Sequence, residues 1–317
     1  MIDKIKNNFE CIEEINLKKY NTLKLNSKAK LMVFPKNEKE LIEVLELLKD
    51  EKHFVIGNGS NIILPNYYDG VIIKLEKLNN YKIEDDILYV ESGAMINYIA
   101  NTTANMGYGG LDYATGIPGT IGGSIYGNAG CYGSSISDVL IDAKVYDGDK
   151  IITLKNKDFM FKYRYSMLKD NKDLIIISAR FKLEKKDKEE LKKQILERTN
   201  KRIATQDLSH PSNGSMFRNP EGLIAGKLID DLGLKGYHVN DAMVSLKHAN
   251  FIINNGKATQ EDIIKLVEKI KKDVKKEYDI DLVMEQEIIK WFITFCLCKF
   301  FVKIMLINWV VNLFFIK

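Results

Sequence analysis

Cysteine is scarce in this chain. Of 317 residues only Cys11, Cys131, Cys296 and Cys298 are cysteines, and no pair has zinc-finger or Cys-x-x-Cys spacing. A secreted disulfide framework is therefore not expected. A field of one charge is missing as well, since 47 basic residues stand against 43 acidic ones. Lys299, Lys303 and Lys317 belong to the last 27 residues, which contain no acid, and the rest of the chain balances at 44 to 43. Such a body offers no basic surface for nucleic acid. The N-terminus, Met1-Ile-Asp-Lys-Ile-Lys-Asn-Asn8, lacks the apolar core of a signal peptide, so a cytoplasmic location is the default expectation. Three ligand signatures are also absent. There is no Walker Gly-Lys-Ser/Thr and no His-Glu-x-x-His, and Gly57-Asn-Gly59 lacks the third Rossmann glycine because Ile62 stands there.

Glycine, by contrast, is concentrated. Ten of the 21 glycines lie between Met106 and Gly133. Glycine is costly to order, so this density points to positive φ angles at tight turns or to backbone lying against a ligand. A flexible linker would be polar. Here Ile117, Ile121, Ile125, Tyr126 and Tyr132 are interleaved with the glycines, and the loop is expected to pack and to cradle a ligand. A second turn, Gly57-Asn-Gly-Ser-Asn61, follows a short apolar run and can present backbone N–H groups to phosphate oxygens. Together the two loops suggest walls around one extended, phosphate-bearing cofactor.

The length allows two or three small domains. Ile2, Ile5, Phe9, Ile12 and Ile15 fall at helical spacing and predict a helix over 2–15. Strands are expected at Leu31–Phe34, His53–Ile56, Val71–Leu75, Ile87–Glu91, Val139–Asp147, Leu174–Leu183, Asn250–Asn254 and Leu282–Ile289. Helices are expected from Asn37 to about Asp50, near Ala94–Met106, and over Lys188–Ile203, Leu223–Leu232 and Thr259–Lys276. The charge run of Lys188–Ile203 reads as the solvated face of a connector. Helices and strands mix without strict βαβ alternation, which predicts an α+β fold. Trp291–Lys317 breaks the pattern, with 21 apolar residues of 27 and both tryptophans. Three readings stay open for it: a frame-derived tail, a membrane anchor and a buried helix. Membrane contact is expected only if that tail is real.

Five polar positions could carry chemistry. Arg164, among Phe161, Tyr163 and Tyr165, could clamp a carboxylate or phosphate, or simply stack on tyrosine at the surface. Ser215 lies in a turn ending at Pro220, where a serine is commonly a cap. Glu285 and Glu287 alternate and so share one face of an extended segment. His248 has no Cys or His partner at metal spacing and reads as a structural histidine, so no metal is expected.

Several blocks, in order, resemble the UDP-N-acetylmuramate dehydrogenase family. They are Gly57-Asn-Gly-Ser-Asn-Ile-Ile-Leu64, Gly116-Ile-Pro-Gly-Thr-Ile-Gly-Gly123, Asn128-Ala-Gly130 and Tyr163-Arg-Tyr-Ser166. Gly214-Ser-Met-Phe-Arg-Asn-Pro220, Ala225-Gly-Lys-Leu-Ile-Asp230, Lys247-His-Ala-Asn-Phe-Ile-Ile-Asn254 and Met284-Glu-Gln-Glu-Ile288 follow. Their order and spacing, from about Asn21 to Ile289, are what make the resemblance specific.

The resemblance implies an FAD-binding domain of the vanillyl-alcohol-oxidase (PCMH) type over 21–200, in lobes of about 21–78 and 79–200. It also implies a substrate-binding domain over 201–290, after an N-terminal helix in 1–20 and before the tail at 291–317. NADPH would reduce FAD, and the enolpyruvyl group of UDP-N-acetylglucosamine enolpyruvate would be reduced to UDP-N-acetylmuramate for peptidoglycan synthesis. The small-molecule substrate and NADPH are thus the implied partners. Arg164 and Glu287 match the family's active-site arginine and glutamate, and Ser215 matches its proton donor. By the same matching, FAD would meet Gly57, Asn58, Gly59, Ser60, Asn61, Gly116, Ile117, Pro118, Gly119, Gly122, Gly123, Asn128 and Gly130. Asn219 and His248 would line the substrate site. No insertion matches the extra tyrosine loop of the longer family type, which implies the shorter type. Asp207 stands where the family commonly has proline, and Asn213 where it has cysteine or alanine. Another flavin oxidoreductase of this fold, or a non-catalytic nucleotide-binding protein, are the alternative readings.

Overall fold

The computed structural model describes residues 2–290, and the readings placed on 291–317 lie outside them. Three sheets organise the described chain. In the first, strands Cys11–Asn16, Lys28–Val33, Tyr67–Lys74 and His53–Ile56 lie side by side in that order. Its outer pair is antiparallel and the rest parallel. The helix Glu38–Leu47 packs on this sheet through Leu41, Val44 and Leu45, with Leu48 just beyond its end also buried. Asn37 caps the helix as its spacing suggested, accepting from the Glu40 N–H at 3.0 Å.

The second sheet is antiparallel throughout, in the order Ile151–Lys155, Leu140–Tyr146, Ile175–Lys182, Ile87–Glu91, Tyr81–Glu84. Its inner face shares a core with the helix Ile96–Asn105 and with Ile121 and Ile125 of the glycine-rich segment. Those isoleucines are fully buried, so the loop packs as its apolar interleaving implied. A third, smaller antiparallel sheet runs Ser212–Ser215, Phe251–Asn254, Ala242–Val244, His238–Val239. The helix Gln260–Tyr278, capped by Thr259, buries Ile263, Leu266, Val267, Ile270 and Val274 in the same core. Helices and strands therefore mix as an α+β architecture.

Two local expectations are corrected. The first helix covers only Ile2–Asn8, and Cys11–Asn16 is a strand opposite Lys28–Val33, with Cys11 facing Val33. Apolar residues three apart in a short run fit either element. The decision came from tertiary pairing, since the exposed edge of Lys28–Val33 needed a hydrogen-bonding partner. Ile15 is buried in the strand while Ile12 stays 45% exposed. The closing strand is also shorter than expected, with regular pairing only at Glu287–Ile288. This segment changes partners along its length. Met284 bridges Phe217 in antiparallel sense, and Glu287 and Ile288 then pair in parallel with Ile62 and Ile63. A chain that switches neighbours cannot keep one continuous ladder.

Candidate active site

The two glycine-rich loops meet. The Asn58 side-chain amide donates to the Pro118 carbonyl at 2.8 Å, and a Cβ on Gly57 would lie 2.7 Å from Thr120 Oγ1. Gly59 sits at φ +63°, and a Cβ there would be 2.1 Å from the Tyr20 carbonyl. Only glycine fits that position without moving backbone. Among the described residues, the N–H groups of residues 57–61, and those of Gly116, Gly119 and Thr120, donate to no protein acceptor. Clustered free donors on curved backbone form a concavity suited to anionic oxygen. Two buried hydroxyls beside the second loop, Ser92 Oγ and Ser124 Oγ, also have no partner. A Cβ on Gly122 would meet Ser92, and one on Gly119 would meet Ser124. Unsatisfied polar groups in a close-packed wall fit a cofactor that brings its own acceptors. Lys74 lies under the first loop, its ammonium bonded to the Gly57 carbonyl, and burial pushes its pKa down.

The first loop is tied directly to the segment carrying the two glutamates. Asn61 accepts from the Glu287 N–H at 3.0 Å, and its side-chain amide donates to the Glu285 carbonyl at 3.2 Å. Asn213 is 8% exposed, and its amide donates to the Ile62 carbonyl at 2.7 Å and accepts from the Thr22 hydroxyl at 2.6 Å. The position that departs from the resembled family is thus a satisfied buried tie between three parts of the chain. Asp207, the other departure, accepts from Ser209, His210 and Ser245. Burial works to raise its pKa, but those hydrogen bonds together outweigh it and lower the carboxyl to about 2.

Arg164 occupies φ +55° at the tip of a tight turn closed by Lys162 and Tyr165. A non-glycine residue held there implies local strain, a frequent companion of functional sites. Its guanidinium donates to Glu285 Oε1 at 2.9 Å and to the Gly130 carbonyl at 2.6 Å, and stacks 5.1 Å from the Tyr163 ring. Asn128 braces this turn by donating to the Lys162 carbonyl at 3.1 Å. Glu285 and Glu287 face the same way while Gln286 is buried on the opposite side, as alternation required. The partners of the two glutamates differ, however. Glu287 Oε2 accepts from the Tyr126 hydroxyl at 3.0 Å, and Oε1 lies 3.5 Å from Lys169 Nζ. Burial lowers the Lys169 pKa against the pull of Glu287, while burial and the Glu287 charge raise that of Tyr126.

Ser215 ends the strand Ser212–Ser215, just after Gly214 at φ +73°. Met216, the next residue, accepts from the Glu285 N–H at 2.9 Å, which sets the serine beside the glutamate segment. No described residue hydrogen-bonds the Ser215 hydroxyl. Asn250 locks the run beyond it: this 3%-exposed side chain accepts from the Phe217 N–H at 3.0 Å and donates to the Phe217 carbonyl at 2.8 Å.

Two residues expected at the site share no hydrogen bond, ion pair or ring contact with this group among the described residues. Asn219 accepts from the Ala225 N–H at 3.1 Å and so caps the helix Ala225–Asp231. His248 packs 4.4 Å from the Phe251 ring, accepts from the Asn250 N–H at 3.3 Å, and has its pKa lowered by burial. The sequence carries only a weak signal for Tyr126, Lys169 and Asn250 in these roles, since Tyr126 reads as packing among the glycines and the other two lie beside or inside matching blocks.

Comparison with known proteins agrees with this assembly. Residues 29–154 match the family model of an FAD binding domain, and residues 206–289 match that of the UDP-N-acetylenolpyruvoylglucosamine reductase C-terminal domain. A reductase of that name from Caldicellulosiruptor saccharolyticus is 41% identical over 90% of this chain and 94% of its own length. Its counterpart from Caldanaerobacter subterraneus is 39% identical over 91% and 98%. The crystal structure of the Thermus caldophilus reductase superposes with a TM-score of 0.76 at 30% identity, covering 89% of this chain and 99% of that one. The chain belongs to the UDP-N-acetylenolpyruvoylglucosamine reductase family.

Proposed function

We infer that this chain is an FAD-dependent oxidoreductase that uses NADPH to reduce UDP-N-acetylglucosamine enolpyruvate to UDP-N-acetylmuramate, a step of peptidoglycan synthesis. The observation that carries the reading is the direct bonding of Asn61, in the first glycine-rich loop, to the segment bearing Glu285 and Glu287. That bonding puts the cofactor wall beside Arg164, Glu287 and Ser215. The free N–H groups of 57–61 and of Gly116, Gly119 and Thr120 would hold the diphosphate of FAD. FAD held there would supply the hydride chemistry between NADPH and the substrate's methylene carbon.

Hydride addition there leaves negative charge on the α-carbon and its carboxylate. Arg164 stabilises that charge, held in place by Glu285 and the Gly130 carbonyl. Glu287, oriented by Tyr126 and Lys169, donates to the developing enolate when it carries a proton. Ser215 Oγ gives its proton to the α-carbon, and its freedom from protein partners leaves it available to do so. The proposed modules are 21–200 for FAD and 201–290 for the substrate. Among the described residues no helix is long and apolar enough to cross a membrane. A cytoplasmic location suits enzymes that use NADPH and a nucleotide-linked substrate.

The test separates the half-reactions. Ser215→Ala is expected to leave flavin reduction by NADPH largely intact and to abolish reoxidation by UDP-N-acetylglucosamine enolpyruvate. Equal loss of both half-reactions in stopped-flow traces at the flavin band would remove Ser215 as the proton donor.

A further inference from the structure

The charges around the site do not all find partners. Arg164 is taken by Glu285, and Glu287 is shared by Lys169 and by Lys172 at 3.8 Å. Arg218 is left over. Its backbone is fixed, with the N–H donating to the Val283 carbonyl at 2.9 Å between Phe217 and Asn219. Its side chain makes no ion pair with a described residue, and Nε is buried without any hydrogen-bond partner. The Arg218 charge bears on Lys169, which touches Glu287, so this guanidinium looks onto the same group of residues. Burying a cationic donor without an acceptor is costly, and native proteins rarely leave one so.

We propose that Arg218 is a substrate-binding residue whose missing counter-ion is an anionic oxygen group of the substrate. The proposal rests on the functional reading above. Arg164 shares its charge with Glu285 and gives Nε and one Nη2 N–H to protein acceptors, so only part of its fork is left for an anion and a second cation there adds to it. Arg218 brings a free planar fork suited to a carboxylate or a phosphate. The substrate carries both groups, the enolpyruvyl carboxylate and the diphosphate. Its arrival would supply the acceptor that Nε lacks and offset the like charge of Lys169.

The experiment compares purified wild type, Arg218→Met and Arg218→Lys, each with its flavin bound. Flavin content and melting temperature serve as controls on folding. The methionine keeps the buried stem and removes every donor, while the lysine keeps charge without the Nε donor. Titrations follow the flavin absorbance change, first with UDP-N-acetylmuramate and then with UDP-N-acetylglucosamine, which has the diphosphate but no carboxylate. The expected result is at least tenfold weaker binding of UDP-N-acetylmuramate to Arg218→Met, with Arg218→Lys in between. If UDP-N-acetylglucosamine weakens equally, the bound group is the diphosphate; if it is unaffected, the carboxylate. Binding within twofold of wild type overturns the proposal, as does weakening confined to the KM for NADPH. If Arg218→Met loses its flavin or melts early, Arg218→Lys decides alone, and wild-type affinity in it overturns the proposal. Failure of wild type itself to bind either nucleotide overturns the functional reading, and the proposal with it.

Discussion

Removing the Asn250 side chain is the sharpest test of how the Ser215 run is held. Asn250→Ala deletes two hydrogen bonds at once, from the Phe217 N–H at 3.0 Å and to the Phe217 carbonyl at 2.8 Å. Asn250 and Phe217 are 3% and 1% exposed, so water does not replace them cheaply. An orphaned buried polar group costs about 1–3 kcal/mol, and two such groups give about 2–6 kcal/mol. The Met216 N–H still reaches the Asn250 carbonyl at 2.7 Å, so the strand pairing itself survives and the loss is local. Amide hydrogen exchange reads such local opening. At the low end, about 2 kcal/mol, protection of the Phe217 amide falls about 30-fold, because about 1.4 kcal/mol is a factor of ten. Asn250→Asp sharpens the test. It keeps an acceptor for the N–H but sets an oxygen against the Phe217 carbonyl, so it is expected to be no more stable than the alanine variant. A change in protection below about threefold in Asn250→Ala, or full recovery in Asn250→Asp, would refute the reasoning.

Other consequences follow from single contacts. Gly59→Ala places a Cβ 2.1 Å from the Tyr20 carbonyl at φ +63°, so the loop must shift. The expected outcome is at least tenfold weaker FAD retention, measured as bound flavin per protein, and wild-type flavin content would count against the loop as a cofactor wall. Asp207 has its pKa lowered from 3.8 to about 2, so its stabilisation is complete above pH ~4 and is lost as pH falls from ~4 to ~2. Asp207→Asn should therefore lower the urea midpoint at pH 7, with the difference from wild type shrinking across that acid window. A difference that stays constant down to pH 2 contradicts the assignment. Tyr126→Phe frees Glu287 Oε2 of its 3.0 Å hydrogen bond without altering packing. Turnover should fall about tenfold, the scale of one lost net hydrogen bond, while flavin content stays constant. Unchanged turnover would mean that Tyr126 does not orient the glutamate.

Much of the fold was legible because its causes are local. Asn37 and Thr259 cap the helices that follow them, and apolar spacing marked the buried faces of Glu38–Leu47 and Gln260–Tyr278. The glycine-rich loops announced a ligand wall because positive φ and close backbone approach exclude side chains, a constraint written residue by residue. The order of the quoted blocks carried the family, its FAD and its reaction.

Partnerships across the chain were not legible, since they depend on which distant segments arrive together. Glu285 and Glu287 are chemically identical and two residues apart, yet one pairs with Arg164 and the other with Tyr126 and Lys169. Asn219 and His248 belong to matching blocks, and in the fold Asn219 accepts from the first N–H of Ala225–Asp231 while the half-buried His248 packs on the Phe251 ring. The first strand is not legible locally, because only the edge of Lys28–Val33 makes Cys11–Asn16 extended rather than helical. Local rules determined the elements, the glycine walls and the family. Hydrogen-bond and charge satisfaction, settled only when the three sheets packed, decided which groups were consumed and which, like Arg218 and Ser215, were left free.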